Sequence, residues 1–211
     1  MVREDQIDTF SRFSKVSRET ISSLKKYESL IITANKDLNL IGKSTIDEIW
    51  ERHILDSFQV IDFVDKNDTM ITDLGSGAGF PGIVIALAAK DRKIPLKINL
   101  IDKSRKKTIF LKSVVSKLKL NVEVICENIF ESEKKLKGNN FVARAFKPLP
   151  VILKLINNKG INFKKFFIFL GKTGNSELLE ASKSWDIEYK QRMSVTSSDS
   201  IIIEVNKLKK K

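Results

Sequence analysis

The residues with the clearest chemical potential form one cluster. A strand-like run, Met70-Ile71-Thr72-Asp73-Leu74, ends in Gly75-Ser76-Gly77-Ala78-Gly79-Phe80-Pro81-Gly82. Four glycines in eight positions let the chain turn sharply and bring its backbone against a ligand with no Cβ in the way. Pro81 suits the first turn of a following helix. Asp102 ends the next apolar run, where an acid can bond ribose hydroxyls. Two cofactor classes fit this pattern. Gly77-x-Gly79-x-x-Gly82 satisfies the dinucleotide fingerprint, which sets a pyrophosphate on a helix N-terminus. S-adenosylmethionine carries no phosphate but has a cationic ammonium. An acid two residues before the first glycine, Asp73, favours that cation and would repel a pyrophosphate. The pattern therefore points to S-adenosylmethionine rather than NAD(P) or FAD, held by Asp73, Gly75, Gly77, Gly79 and Asp102.

Other residues narrow the reaction. After the predicted fourth strand stands Ala143-Arg144-Ala145-Phe146-Lys147-Pro148, which lacks the Asn/Asp-Pro-Pro-aromatic motif used on exocyclic base amines. Carbon-5 methylation of a pyrimidine needs a Cys nucleophile. Cys126 is the only cysteine and reads as a small buried side chain. With one His and one Cys, neither a His-cluster nor a Cys-rich metal centre is expected, nor a disulfide framework. A ring nitrogen such as guanine N7 has a free lone pair and needs no base, so positioning and electrostatics suffice. Arg144 could meet a phosphate or the cofactor, or form an ion pair with Asp102 or Glu127. His53, in Arg52-His53-x-x-Asp56-Ser57, could line a substrate cleft with Arg52 and Asp56, or pair with Asp56 on a helix surface. Phe80 could pack on the cofactor or close the core. Trp50 and Trp185 read as packing.

The elements that must position these residues follow from periodicity. Apolar residues from Ile7 to Ile31 recur at helical spacing, and a second helix is expected from about Ser44 to Val64, capped by Ser44 or Thr45. Strands are expected at 70–74, 97–102, 122–125, 141–143, 166–170, 185–192 and 200–206. Helices are expected at 83–90, 104–118 (capped by Ser104), 149–156 and 176–182. The tail Lys207–Lys211 is expected to fray. Alternating strands and helices imply a mostly parallel sheet covered on both faces, with a ligand at the carboxyl ends of the strands beside the first. This is an α/β architecture of the class I (Rossmann-like) S-adenosylmethionine-dependent methyltransferase fold, with seven strands and an N-terminal helical extension. The chain of 211 residues is expected to form one domain, the extension over 1–66 and the core over 67–207.

Charge is divided along the chain. Residues 1–70 carry 10 basic and 13 acidic side chains, residues 71–211 carry 28 and 13. A basic body suits a polyanion, most simply nucleic acid. Lys103, Arg105, Lys106, Lys107, Lys112, Lys117 and Lys119 form a run without acids, which could rest on phosphates or be a solvated face. No apolar run approaches the ~18 residues of a membrane span, and the first ten residues lack an apolar signal region. A cytoplasmic, membrane-free monomer is expected.

Together, Asn39-Leu40, Arg52-His53-Ile54-Leu55-Asp56-Ser57, the 73–82 loop and Arg144-Ala145-Phe146-x-Pro148-Leu149 resemble the bacterial 16S rRNA guanine-N7 methyltransferase family (RsmG, also called GidB). The resemblance runs from about residue 35 to 172. It implies methyl transfer from S-adenosylmethionine to N7 of one guanine in 16S rRNA, as naked RNA or in the small ribosomal subunit. It implies a cofactor pocket of Gly75, Phe80, Asp102, Ile129, Phe130 and Arg144. Asn39, Arg52, His53, Asp56 and Arg144 are the implied substrate-cleft candidates. The chain departs from the family at 128–130, where an Arg, a small residue and an acid are usual and Asn128-Ile129-Phe130 stands. It also has Gly171-Lys172 where relatives often show Lys-Gly. A dinucleotide oxidoreductase and a noncatalytic RNA-binding factor are the competing readings. Asp73 and the seven strands weigh against the first, the intact glycine loop against the second.

Overall fold

A computed structural model describes residues 3–211; Met1 and Val2, expected in the helical extension, lie outside the described residues. The chain opens with α1 (Arg3–Ser14) and α2 (Arg18–Leu38). The apolar repeat predicts one helix here, but the chain breaks at Lys15, whose φ is +52°, and Ser17 caps α2 by accepting from the Thr20 amide at 3.2 Å. The repeat survives the break because Phe10, Leu24, Tyr27 and Ile31 all enter one core.

The second expected helix is also corrected. Ser44 and Thr45 do not cap it. They lie in a 3-10 turn (Lys43–Thr45), followed by a π-helix (Trp50–Leu55), one α-helical turn, α3 (Asp56–Phe58), and a 3-10 helix (Gln59–Phe63). Nearly every side chain from Ile49 to Ile61 that is apolar is buried. Burial therefore holds the winding to the core, and a hydrophobic pattern does not distinguish i+4 from i+5 hydrogen bonding.

From residue 70 the expected alternation holds. The order is β1 (Met70–Leu74), α4 (Gly82–Asp91), β2 (Lys97–Asp102), α5 (Arg105–Leu118), β3 (Val122–Cys126), β4 (Asn140–Arg144), α6 (Leu149–Asn158), β5 (Lys165–Leu170), α7 (Gly174–Ser184), β6 (Trp185–Ser194) and β7 (Ser197–Lys210). Ser104 caps α5 as expected. The seven strands form one sheet, ordered β3-β2-β1-β4-β5-β7-β6. The first five are parallel, and β7 runs antiparallel to both β5 and β6. Alternate residues of the central strands face opposite cores. Phe167 joins α1, α2, α4 and α5 on one face, while Phe166 and Ile168 join α6 and α7 on the other. Trp50 and Trp185 are both buried as packing residues.

Two further expectations fail. The tail does not fray: Lys207 pairs with Glu188 and Lys210 with Trp185, because β6 supplies backbone partners along its length. Cys126 is exposed rather than buried. It ends β3, an edge strand with a neighbour on one side only.

The strand order reverses between β1 and β4, and the glycine loop leaves β1 at that point. α2 supports the loop from behind. The Tyr27 hydroxyl donates to the Ala78 carbonyl at 2.9 Å, and its ring lies 5.3 Å from that of Phe80. Gly79 has φ +106°, and a Cβ there would fall 2.7 Å from Ile83 Cγ1 and 2.8 Å from Tyr27 Oη. Gly160 has φ +55° with nothing within 4 Å. Gly160→Ala should therefore cost about 1–2 kcal/mol of backbone strain alone. Gly79→Ala should cost a further ~1–3 kcal/mol of overpacking. Urea unfolding of both variants checks this; equal midpoints would show that α2 does not press on the loop.

Candidate active site

The site forms where β1, β2 and β4 end. The Gly75 and Ser76 amides donate to the Ile101 carbonyl at 2.9 and 3.0 Å, folding the loop back over β2. Asp102 then fixes both neighbouring turns. Its Oδ2 accepts from the Gly77 amide at 2.9 Å and its Oδ1 from the Ser104 amide at 2.8 Å. A cavity of about 550 Å³ opens above, lined by Gly75, Gly77, Phe80, Asp102, Ile129, Phe130 and Arg144 among others. Gly77 has φ +56°, and a Cβ there would meet only the Gly75 carbonyl, at 3.8 Å. Its Cα thus faces open space. At Gly75, φ is +74° and a Cβ would lie 2.2 Å from the Phe146 ring.

Two expected cofactor residues lie behind the cavity rather than in its wall. Gly79 packs against α2 and α4. Asp73 is fully buried, and its Oδ2 accepts from the Gly82 amide at 2.9 Å, so this acid ties the two ends of the loop together. Burial pushes its pKa from 3.8 to about 8. The Gly82 amide and Ser76 hold it down in part, and repulsion from Asp102 adds to the rise.

Arg144 ends β4 and reaches across to the 50–56 segment. Its Nε donates to Asp56 Oδ2 at 2.9 Å, its Nη1 to His53 Nδ1 at 3.1 Å and its Nη2 to the Arg52 carbonyl at 2.5 Å. Its ion-pair partner is thus Asp56, not Asp102 or Glu127. Asp56 is buried and also accepts from the hydroxyls of Ser194 and Thr196, at 2.8 and 3.3 Å, and from Gln59 Nε2 at 3.1 Å. A guanidinium only donates, so His53 Nδ1 accepts and the ring proton sits on Nε2. That nitrogen donates to Thr45 Oγ1, 2.9 Å away. Burial first, then the charges of Arg144 and Arg52, lower the His53 pKa from 6.5 to about 3. The neutral ring stacks on Phe80, centroids 5.1 Å apart.

Of the substrate-cleft candidates, His53 and Arg144 line the cavity, and Asp56 supports Arg144 from outside it. Asn39 is the exposed left-handed cap of α2, and its neighbours Leu40, Ile41 and Gly42 reach the wall instead. Arg52 turns outward to Glu48 at 3.2 Å; only its carbonyl serves the site. Phe146 and Lys147 stand in the Arg144–Leu149 motif without a chemical signal of their own, and both line the cavity. Glu127, weighed only as an ion-pair partner, lines it too. Ser194 and Thr196 carry no local signal, since they reach Asp56 from the end of β6 and the turn after it.

The raised pKa of Asp73 favours the protonated acid in the fold. Its stabilising contribution is complete below about pH 4, where the unfolded chain is protonated too, and is lost as pH rises toward 8. Asp73→Asn keeps the shape and removes the titration, while His53 contributes equally to both proteins. The stability of Asp73→Asn relative to wild type should therefore grow between pH 4 and pH 8. Thermal melts across that range check this, and a constant difference would show that Asp73 is ionised in the fold.

Comparison with known proteins agrees with the geometry. Residues 20–203 match the family GidB, rRNA small subunit methyltransferase G. A ribosomal RNA small subunit methyltransferase G of Pelagibacter ubique is 44% identical over 198 residues, covering 93% of this chain and 92% of its own. Among solved structures, the 16S rRNA methylase RmtB shares the fold at TM-score 0.54 and 12% identity, over 91% of this chain and 76% of that one. M. capricolum TrmK, solved with S-adenosylhomocysteine, shares it at TM-score 0.53 and 18% identity, over 72% and 67%. With its glycine loop, acid and arginine in the places described, the chain belongs to the GidB family of small-subunit rRNA methyltransferases.

Proposed function

We propose that the protein transfers a methyl group from S-adenosylmethionine to N7 of a guanine in 16S rRNA, as a monomer in the cytoplasm. The cavity suits that cofactor. Its volume accommodates a nucleoside joined to an amino acid. The acids Asp102 and Glu127 line it beside Lys103, Lys107, Arg144 and Lys147, so it offers partners to both the ammonium and the carboxylate of that cofactor. Gly77 presents bare backbone. When bound, the cofactor supplies an electrophilic methyl on a sulfonium. Asp102, with both oxygens anchored by loop amides, retains lone pairs for ribose hydroxyls. The backbone at Ile129 and Phe130, which line the cavity, would meet the adenine. Gly75, Phe80 and the remaining Arg144 protons would hold the methionine end.

The observation that carries the N7 assignment is the state of His53. It is the imidazole beside the glycine loop, yet its lone pair accepts from Arg144 and its pKa is about 3. With its lone pair so occupied, it is poorly suited to take a proton from a substrate. An exocyclic amine or a ribose hydroxyl must lose a proton, whereas guanine N7 attacks with a lone pair already free. His53 and Arg144 then act by position. They fix the wall against which the base is held in line with the methyl group.

Incubation with labelled S-adenosylmethionine and small-subunit rRNA lacking the modification should yield N7-methylguanosine by mass spectrometry. Any other methylated nucleoside would overturn the N7 assignment. Gly75→Asp should abolish S-adenosylhomocysteine binding in calorimetry, since its side chain must collide with Phe146. Undiminished affinity would remove the glycine loop from the cofactor site.

A further inference from the structure

The loop after β3 places two large apolar residues side by side and treats them differently. Ile129 is buried and anchors the segment in the α6–α7 core. Phe130 is 42% exposed at the rim of the cavity. Its ring stacks on Phe146, centroids 5.8 Å apart and planes 26° from parallel. Phe146 in turn lies over Gly75, so the aromatic pair leads from solvent to the inner wall of the cavity. The Lys147 ammonium stands 5.9 Å from the Phe130 centroid. Lys103 and Lys107 line the same cavity. Exposed Arg105, Lys106 and Lys112 extend the positive surface along α5.

Core packing does not account for Phe130, since Ile129 already does the anchoring and the phenyl ring stays partly in water. An exposed ring flanked by cations is what an unpaired nucleobase and its phosphate recognise: the base stacks and the ammonium meets the charge. A base must also leave its stack for its ring nitrogen to reach a buried methyl donor. We propose that Phe130, backed by Phe146, is the stacking platform for an unpaired purine of the rRNA substrate at the cavity mouth, with Lys147 contacting its phosphate. This rests on the methyltransferase reading above. It assigns the Phe130 side chain to RNA, while the backbone of the same loop serves the cofactor.

The test compares wild type, Phe130→Ala and Phe130→Trp in two measurements. One is KM for small-subunit rRNA or assembled subunits in methyl transfer. The other is calorimetric affinity for S-adenosylhomocysteine. Phe130→Ala should raise KM for RNA roughly fivefold to a hundredfold and leave S-adenosylhomocysteine affinity within about twofold. Phe130→Trp should restore RNA binding, because any flat aromatic stacks. Lys147→Ala should lower the salt dependence of RNA binding by about one phosphate contact. An unchanged KM in Phe130→Ala overturns the platform. So does a loss of S-adenosylhomocysteine affinity as large as the loss for RNA, which would give the ring to the cofactor's adenine. Wild-type protein that binds S-adenosylhomocysteine but methylates no RNA overturns the methyltransferase reading itself, and the platform with it.

Discussion

The pairing of Arg144 with Asp56 is the constraint on which the site depends. A guanidinium and a carboxylate mostly withdrawn from water are tolerable only when their hydrogen-bonding capacity is met. Here that requirement draws three distant parts of the chain together. Arg144 comes from β4, Asp56 from the start of α3, and Ser194 and Thr196 from the last hairpin. Removing one partner would leave a buried charge and several orphaned hydroxyls and amides. The network therefore specifies one arrangement of the cavity wall, whatever its net contribution to stability.

The same pairing sets the chemistry of His53. Because Arg144 must donate, the imidazole lone pair is occupied and the ring is held neutral, stacked on Phe80. A residue that looks like a general base in the sequence becomes part of a rigid wall. The glycine loop is held with equal care from behind. Tyr27 bonds Ala78, Asp73 bonds Gly82, and Asp102 bonds Gly77 and Ser104. Such preorganisation suits a transfer in which alignment, rather than proton removal, lowers the barrier.

Charge of both signs meets at the cavity. Asp102 and Glu127 are half-buried in its lining, as is Lys107, while Lys103 and Lys147 are exposed there. This resolves a tension in the composition. A basic chain with acids in this cavity is not contradictory if the cavity meets a cationic cofactor and the surface around it a polyanion.

The centre of the sheet was legible in the sequence because β1, β2, β4 and β5 are short apolar runs, and burial on both faces leaves few alternatives. The glycine loop and Asp102 were legible because sharp turns and close backbone approach demand those residue types wherever they occur. The N-terminal windings were not, since a buried apolar pattern tolerates α, π and 3-10 turns alike, and only packing against the sheet selected among them. Nor was the inward role of Asp73 legible. Its type announced an acid beside a glycine loop, while tertiary burial decided that it faces Gly82 rather than the cavity. Ser194, Thr196 and the Lys207–Lys210 segment lie furthest from any local signal. Their partners stand on other elements, so only the folded chain could show the hydroxyls closing the Asp56 network and the lysines completing a strand.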